Sequence, residues 1–214
     1  QRWIGIGRKD RPVTTKRLVI GISGASGALY AKRTIQLVLA AGYDVHLVVS
    51  PLGQRLLHDE LGMEGVDVAA LAGGEDPSRI TLYNYRDVGA AIASGSFQHE
   101  GMIVVPCSAN SLGAIAHGIQ QNLLHRAAAV TLKERRKLVL VHRESPLSLV
   151  EIRNMAQITE AGGIICPANL GFYLSPPRID YPVAFLVGRV LDLVHVPHGL
   201  NVRWQSPTSP EQSS

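Results

Sequence analysis

Short apolar runs rich in Val, Ile and Leu alternate along the chain with longer stretches whose apolar residues recur at helical spacing. Leu18 to Ile22 is the first run and reads as a buried parallel strand. A small-residue turn, Ser23-Gly24-Ala25-Ser26-Gly27-Ala28, follows it. Ala28 to Ala41 then has the spacing of a helix, stopped by Gly42. Asp44 to Ser50 repeats the strand pattern, and Pro51 suits the first turn of a helix that Ser50 caps. That helix ends at Gly62 and leaves Glu60 in its last turn. Met63 to Ser78, with Gly73-Gly74 and Asp76-Pro77, predicts a surface connection. Further strands are predicted at Ile80 to Tyr83, Met102 to Pro106, Lys137 to His142 and Gly163 to Cys166. The remaining helices fall at Leu112 to Gly118, Asn122 to Arg136, Leu147 to Ala161 and Pro182 to Val194.

Strands alternating with helices predict an α/β fold: an open, mostly parallel sheet with helices on both faces. Its 214 residues suffice for one domain with a full core. Residues 16–204 are expected to form it, with a flexible lead at 1–15 and a polar, disordered tail at 205–214. The lead is basic apart from Asp10, and it suits a targeting remnant as well as a loose end. The two cysteines, Cys107 and Cys166, each close an apolar run and read as buried thiols in a reducing compartment. No apolar run reaches membrane-spanning length. A net charge of +4 with dispersed basic residues argues against nucleic acid and suits small anionic ligands.

Ligands of such sheets sit beyond the carboxyl ends of the strands. Those ends present Ser23 and Ser26, Ser50, Ser108 with Asn110, Arg143 with Glu144, and Asn169, with no metal-ligand set among them. The first turn aims backbone N–H groups at one point, where a phosphate is well placed. Gly24-x-x-Gly27 is neither the dinucleotide fingerprint nor a Walker loop, so a mononucleotide fits better than NAD or ATP. The alternative is that these glycines only tighten a βα turn.

Gly24-Ala-Ser-Gly27, Ala93-Ser-Gly-Ser96, Pro106-Cys-Ser108, Asn122-Leu, Arg126-Ala-Ala, Leu132-Lys-Glu-Arg-Arg136, Arg143-Glu-Ser-Pro146 and Gly171-Phe-Tyr173 follow one another along the chain. In that order they resemble the UbiX/Pad-type flavin prenyltransferases, Rossmann-like flavoproteins related to cysteine decarboxylases. The resemblance implies a metal-free transfer of the dimethylallyl group of dimethylallyl phosphate to reduced FMN, with bonds at flavin N5 and C6. The product, prenylated FMN, goes to a UbiD-type decarboxylase, for ubiquinone synthesis or aromatic-acid decarboxylation. Relatives form large homo-oligomers, dodecamers by resemblance, with flavin sites at subunit interfaces. The small-residue helix Leu112 to Gly118 and Phe172-Tyr173-Leu174 are the expected contact surfaces.

By match to the family motifs, Lys133, Arg143, Tyr173 and the Ser94-Gly95-Ser96 turn cradle the substrate phosphate. An allylic phosphate leaves only where fixed cations and donors stabilise its charge. Glu60, Ser26 and Glu144 match the acid, the relay serine and the supporting carboxylate, and Glu60 suits the acid's role if burial raises its pKa. FMN lies on Gly24, Ala25, Ser26, Ser50, Ser108, Ser111 and Arg126. Membrane and nucleic-acid partners are not implied, and the compartment is cytoplasmic, or mitochondrial in a eukaryotic source.

Taken singly, each feature has a plainer reading. Lys133 to Arg136 is a solvated helix end, Arg143-Glu144 a surface ion pair, Ser26 a helix cap, Tyr173 a core or interface aromatic, and Glu60 a solvent-facing residue. Two departures from the family pattern stand out: Ala129 replaces a common Asp, and Asn169-Leu170 replaces the usual segment before Gly171. Pro106-Cys-Ser-Ala-Asn-Ser111 also resembles the flavin-dependent cysteine decarboxylases, but Ile80 to Arg86 lacks the histidine those enzymes need. A flavin carrier without turnover is the third reading.

Overall fold

The computed structural model of the chain describes residues 16–169 and 180–200. Six parallel strands, β1 (Arg17–Ile22), β2 (Asp44–Val49), β3 (Ile80–Tyr83), β4 (Gly101–Cys107), β5 (Lys137–His142) and β6 (Ile164–Ile165), form one sheet in the order β3-β2-β1-β4-β5-β6. The strand pattern of the sequence accounts for this directly. β4 is buried along its whole length, and β1, β2 and β5 are buried after their first residue, which only a sheet covered on both faces permits.

Successive residues of each strand feed opposite cores, as the twofold period of a strand requires. Leu18, Ile20, Ile22, Ile103, Val105, Val139 and Val141 face one side, where α1 (Ala28–Ala40), α2 (Pro51–Leu61), α3 (Val68–Ala72) and α7 (Asp180–Leu193) pack. Val19, Met102, Val104, Leu138 and Leu140 face the other, under α4 (Ala109–Ala116), α5 (Leu123–Lys133) and α6 (Leu149–Glu160). The expected open parallel sheet with helices on both faces is therefore present, here with all its pairings parallel.

Several boundaries differ from the sequence reading. The connection after Gly62 carries α3, whose Leu71 and Ala72 are fully buried and whose first N–H groups are capped by Asp67. Helix α4 begins at Ala109 rather than Leu112, because Ser108 accepts the N–H of Ser111 and starts the turn there. Helix α5 stops at Lys133 instead of Arg136, since Arg135 turns to a positive φ of 58°. The expectations for residues 1–15, Gly171-Phe-Tyr173 and 205–214 lie outside the described residues.

The expected contact surface on Leu112 to Gly118 is only partly accessible, with Gly113 and Ala116 half-buried and His117 and Gly118 exposed. Leu112, Ala114 and Ile115 are inside the protein's own core, against Leu123 and Leu124. Among the described residues the large exposed apolar side chains cluster at Leu147, Leu149, Val150 and Ile152, at the start of α6, and others stand singly, Ile119 just after α4 among them.

Candidate functional site

The strand order reverses between β1 and β4, and the loops leaving these two strands diverge there to open a crevice. Ser23 ties the two loops together: its hydroxyl donates to Pro106 O at 3.0 Å and accepts from Ser108 N–H at 2.8 Å. The cleft above has a volume of about 610 Å³ and is walled by Gly24, Ala25, Ser26, Ser50, Leu52, Tyr85, Ser108, Asn110, Ser111, Arg143 and Glu144. Six of the seven residues expected to hold FMN, all but Arg126, are in this wall. Arg126 instead donates to Gln120 Oε1 at 2.5 Å, outside the cleft lining.

Both ends of helix α2 meet the segment that follows β1. Ser50 N–H donates to Ile22 O at 2.9 Å, and Leu52 lies so close to Gly24 that a Cβ there would be 2.4 Å from Leu52 Cβ. Only glycine permits that approach. Ser50 and Ser108 each accept the cap N–H of the helix they begin, at 2.9 and 3.3 Å. Accepting a cap bond leaves a hydroxyl its proton: that of Ser108 goes to Ser111 Oγ at 3.3 Å, and that of Ser50 can go to a ligand.

The N-terminus of α1 departs from the sequence reading. Its N–H groups were expected to face a phosphate, and they already have an acceptor. The Glu60 carboxylate receives Gly27 N–H at 3.2 and 3.1 Å and Ala28 N–H at 2.8 Å. No side chain of the Gly27 cap itself serves this end, so a carboxylate from α2 takes the place. Glu60 is exposed, so the burial expected to suit it as an acid is absent, while its N–H contacts set it apart from a merely solvent-facing residue.

Tyr30, half-buried one turn into α1, is within electrostatic reach of both Glu60 and Arg143. Burial raises its pKa, the Arg143 cation opposes that and the Glu60 anion adds to it. Tyr30 was not singled out in the sequence, although its place three residues after Gly27 puts it on the face that looks back at the turn. Tyr85, on the other wall, was missed for want of any motif. Burial pushes the Cys107 thiol up to about 12 and raises Cys166 as well, which disfavours the reactive thiolate at both.

The residues matched to the phosphate cradle divide into two groups. Arg143 and Glu144 follow β5 and reach the cleft. Lys133 and the Ser94-Gly95-Ser96 turn precede β5 and β4, at the opposite edge of the sheet, a strand length of about 20 Å away. There they are brought together: Lys133 pairs with Glu134, and a Cβ on Gly95 would lie 2.9 Å from Lys133 Nζ. Arg136 fastens this turn with two donated bonds, each 2.8 Å, to Phe97 O and Gly95 O. Beneath it Phe97 meets the His46 ring edge-on at 4.8 Å, stacks on His99 and takes the Arg17 cation on its face. Tyr173 lies outside the described residues.

Among the described residues no group of His, Cys, Asp and Glu is placed to hold a metal ion. Nor is any helix there long and apolar enough to cross a membrane.

The flavoprotein family model matches residues 6–176. The flavin prenyltransferase UbiX of Saccharolobus solfataricus is 37% identical over 201 residues, which is 93% of this chain and 97% of that protein. A solved UbiX-type protein in complex with FMN and dimethylallyl pyrophosphate superposes with a TM-score of 0.83. It is 38% identical, and the match covers 90% of this chain and 98% of that one. A dodecameric, FMN-dependent UbiX-like decarboxylase from Escherichia coli O157:H7 gives 0.80 at 38% identity, over 89% and 99%. Solved FMN-dependent cysteine decarboxylases match at only 16 and 19%, a likeness that concerns the fold alone.

Proposed function

The chain belongs to the flavin prenyltransferase family, and on that footing we propose how its residues divide the reaction between two subunits. Reduced FMN lies in the cleft on Gly24, Ala25, Ser26, Ser50, Ser108 and Ser111. The Ser50 hydroxyl donates to it while its oxygen caps α2, and the hydrogen-bonded Ser108–Ser111 pair offers a second donor. The dimethylallyl C–O bond breaks with its electron pair leaving on the phosphate, and flavin N5 supplies the pair for the first new bond and gives up its proton. The remaining double bond then takes a proton at its internal carbon, and C6 closes on the resulting tertiary cation and releases its own proton, so that one proton in all goes to the departing phosphate. Arg143 forks onto the departing phosphate in a way no lysine can. Glu60 handles the proton, with Ser26 as relay and Glu144 in support, since Glu60 sits beside Tyr30 and Arg143 at the cleft's edge.

The single observation behind the two-subunit assignment is the separation of the cradle. Lys133 and Ser94-Gly95-Ser96 stand about 20 Å from Arg143 in one chain, so they reach its substrate only from a neighbour. The dodecameric relative and the exposed Leu147, Leu149, Val150 and Ile152 support a homo-oligomer that brings them there. Tyr173 completes the cradle. The product passes to a UbiD-type decarboxylase, and the unpaired thiols suit a reducing compartment.

Lys133→Met and Arg143→Met, each inactive alone, test this when unfolded and refolded together. A site drawing one residue from each of two subunits regains about a quarter of the parental turnover in an equal mixture. A mixture as inactive as its components would place both residues in one subunit's site and overturn the assignment.

A further inference from the structure

A hydrogen-bonded line runs behind the cleft from Asn122 and His125, which the prenyl-transfer assignment leaves without a task, to Ser111 in the cleft wall. Asn122, His125 and Ser111 are 9, 4 and 4% exposed, and Ser111 together with Ser108 walls the cleft. The Asn122 amide has a fixed orientation, because its Oδ1 accepts the backbone N–H of His125 at 2.9 Å as the cap of α5. Its Nδ2 therefore faces His125 Nδ1, also at 2.9 Å, and donates to it. The His125 ring must offer a lone pair at Nδ1, which puts its proton on Nε2. That nitrogen is 3.3 Å from Ser111 Oγ and donates to it. Burial lowers the pKa of His125, which keeps the ring neutral and in this tautomer.

The protons of the serine pair can then be counted. Ser111 Oγ accepts from His125, and Ser108 Oγ accepts from the backbone N–H of Ser111 at 3.3 Å. Ser108 Oγ donates to Ser111 Oγ at 3.3 Å. The Ser111 proton then has no acceptor behind the wall and is left for a ligand in the cleft.

We propose that His125 is a positioning residue that commits the Ser108–Ser111 pair to act as a hydrogen-bond donor towards an acceptor atom of the bound flavin. This rests on the reading that the cleft binds FMN. Without the imidazole N–H, Ser111 is free to turn its own proton inward, and the pair no longer presents a fixed donor.

The test is FMN affinity and the visible absorption spectrum of bound FMN for the parent, His125→Met and His125→Gln, with thermal midpoints alongside. Met fills the space without an N–H, whereas Gln carries an amide N–H to the position of Nε2. Loss of one net hydrogen bond predicts about fivefold weaker FMN binding and an altered flavin band in H125M. In H125Q both return towards the parent. H125M binding FMN like the parent, whatever its thermal midpoint, would overturn the relay. H125Q failing as badly as H125M would do the same, because shape and not the donor would then matter. A parent that binds no FMN would overturn the flavin reading itself.

Discussion

Exchange of Glu60 for Gln separates a structural task from a chemical one at a single carboxylate. The side chain receives three N–H contacts of 2.8–3.2 Å at the start of α1, from Gly27 and Ala28. Removing the charge forfeits a helix N-terminal interaction of about 0.5 kcal/mol. Turning a charge-assisted bond into a neutral one costs about 1 kcal/mol more. The sum, about 1.5 kcal/mol, lowers the midpoint of a chain this size by about 3–6 °C. The chemical loss is on another scale, since a misplaced proton donor slows turnover by about 10²–10⁴. FMN binding is spared, because Glu60 is not in the cleft wall. Thermal unfolding of the free protein and single-turnover mass analysis of the flavin read the two effects separately. An unchanged midpoint would show that the carboxylate does not secure α1. Turnover like the parent's would show that Glu60 carries no proton in the rate-limiting step.

Stability will fall with acid through His46, whose pKa burial lowers from 6.5 to about 4, with the Arg17 cation adding to the effect. Below pH 6.5 the unfolded ring takes a proton that the folded ring refuses until about 4, so stability present above 6.5 is lost across that window. The ceiling is about 3 kcal/mol, and residual solvent screening reduces it to about 2 kcal/mol. Urea unfolding at several pH values should show a shallower slope in His46→Phe than in the parent, the remainder coming from other buried histidines such as His99 and His125, and an equal slope in both would refute the assignment. Gly24→Ala places a methyl 2.4 Å from Leu52 Cβ and pushes α2 away from the β1 loop. It should cost about 1–3 kcal/mol of stability and weaken FMN binding measured by fluorescence; parental values of both would refute the close contact.

The fold was legible wherever burial is two-sided. Leu18 to Ile22 and Met102 to Pro106 are too apolar and too short for anything but inner strands, and the structure extends each by a residue or two. Segments shaped by distant partners were not legible. Glu134-Arg135-Arg136 are good helix formers, yet the chain leaves the helix there because Arg136 is tied to Gly95 and Phe97 some forty residues earlier. The carboxylate cap of α1 joins residues 33 apart, and the His125 relay joins two helices, so no local pattern announces either. Helix α3 left one trace, Asp67 before an Ala- and Leu-rich turn. The division of the phosphate cradle was implicit in strand order. Lys133 precedes β5 and Arg143 follows it, so one chain holds them at opposite edges of the sheet.

The most direct test of prenyl transfer is anaerobic incubation of the protein with FMN, dithionite and dimethylallyl phosphate, followed by mass analysis of the flavin. The account predicts a flavin heavier by one five-carbon prenyl unit, formed without added metal. FMN that stays bound to the protein and unchanged in mass would contradict it.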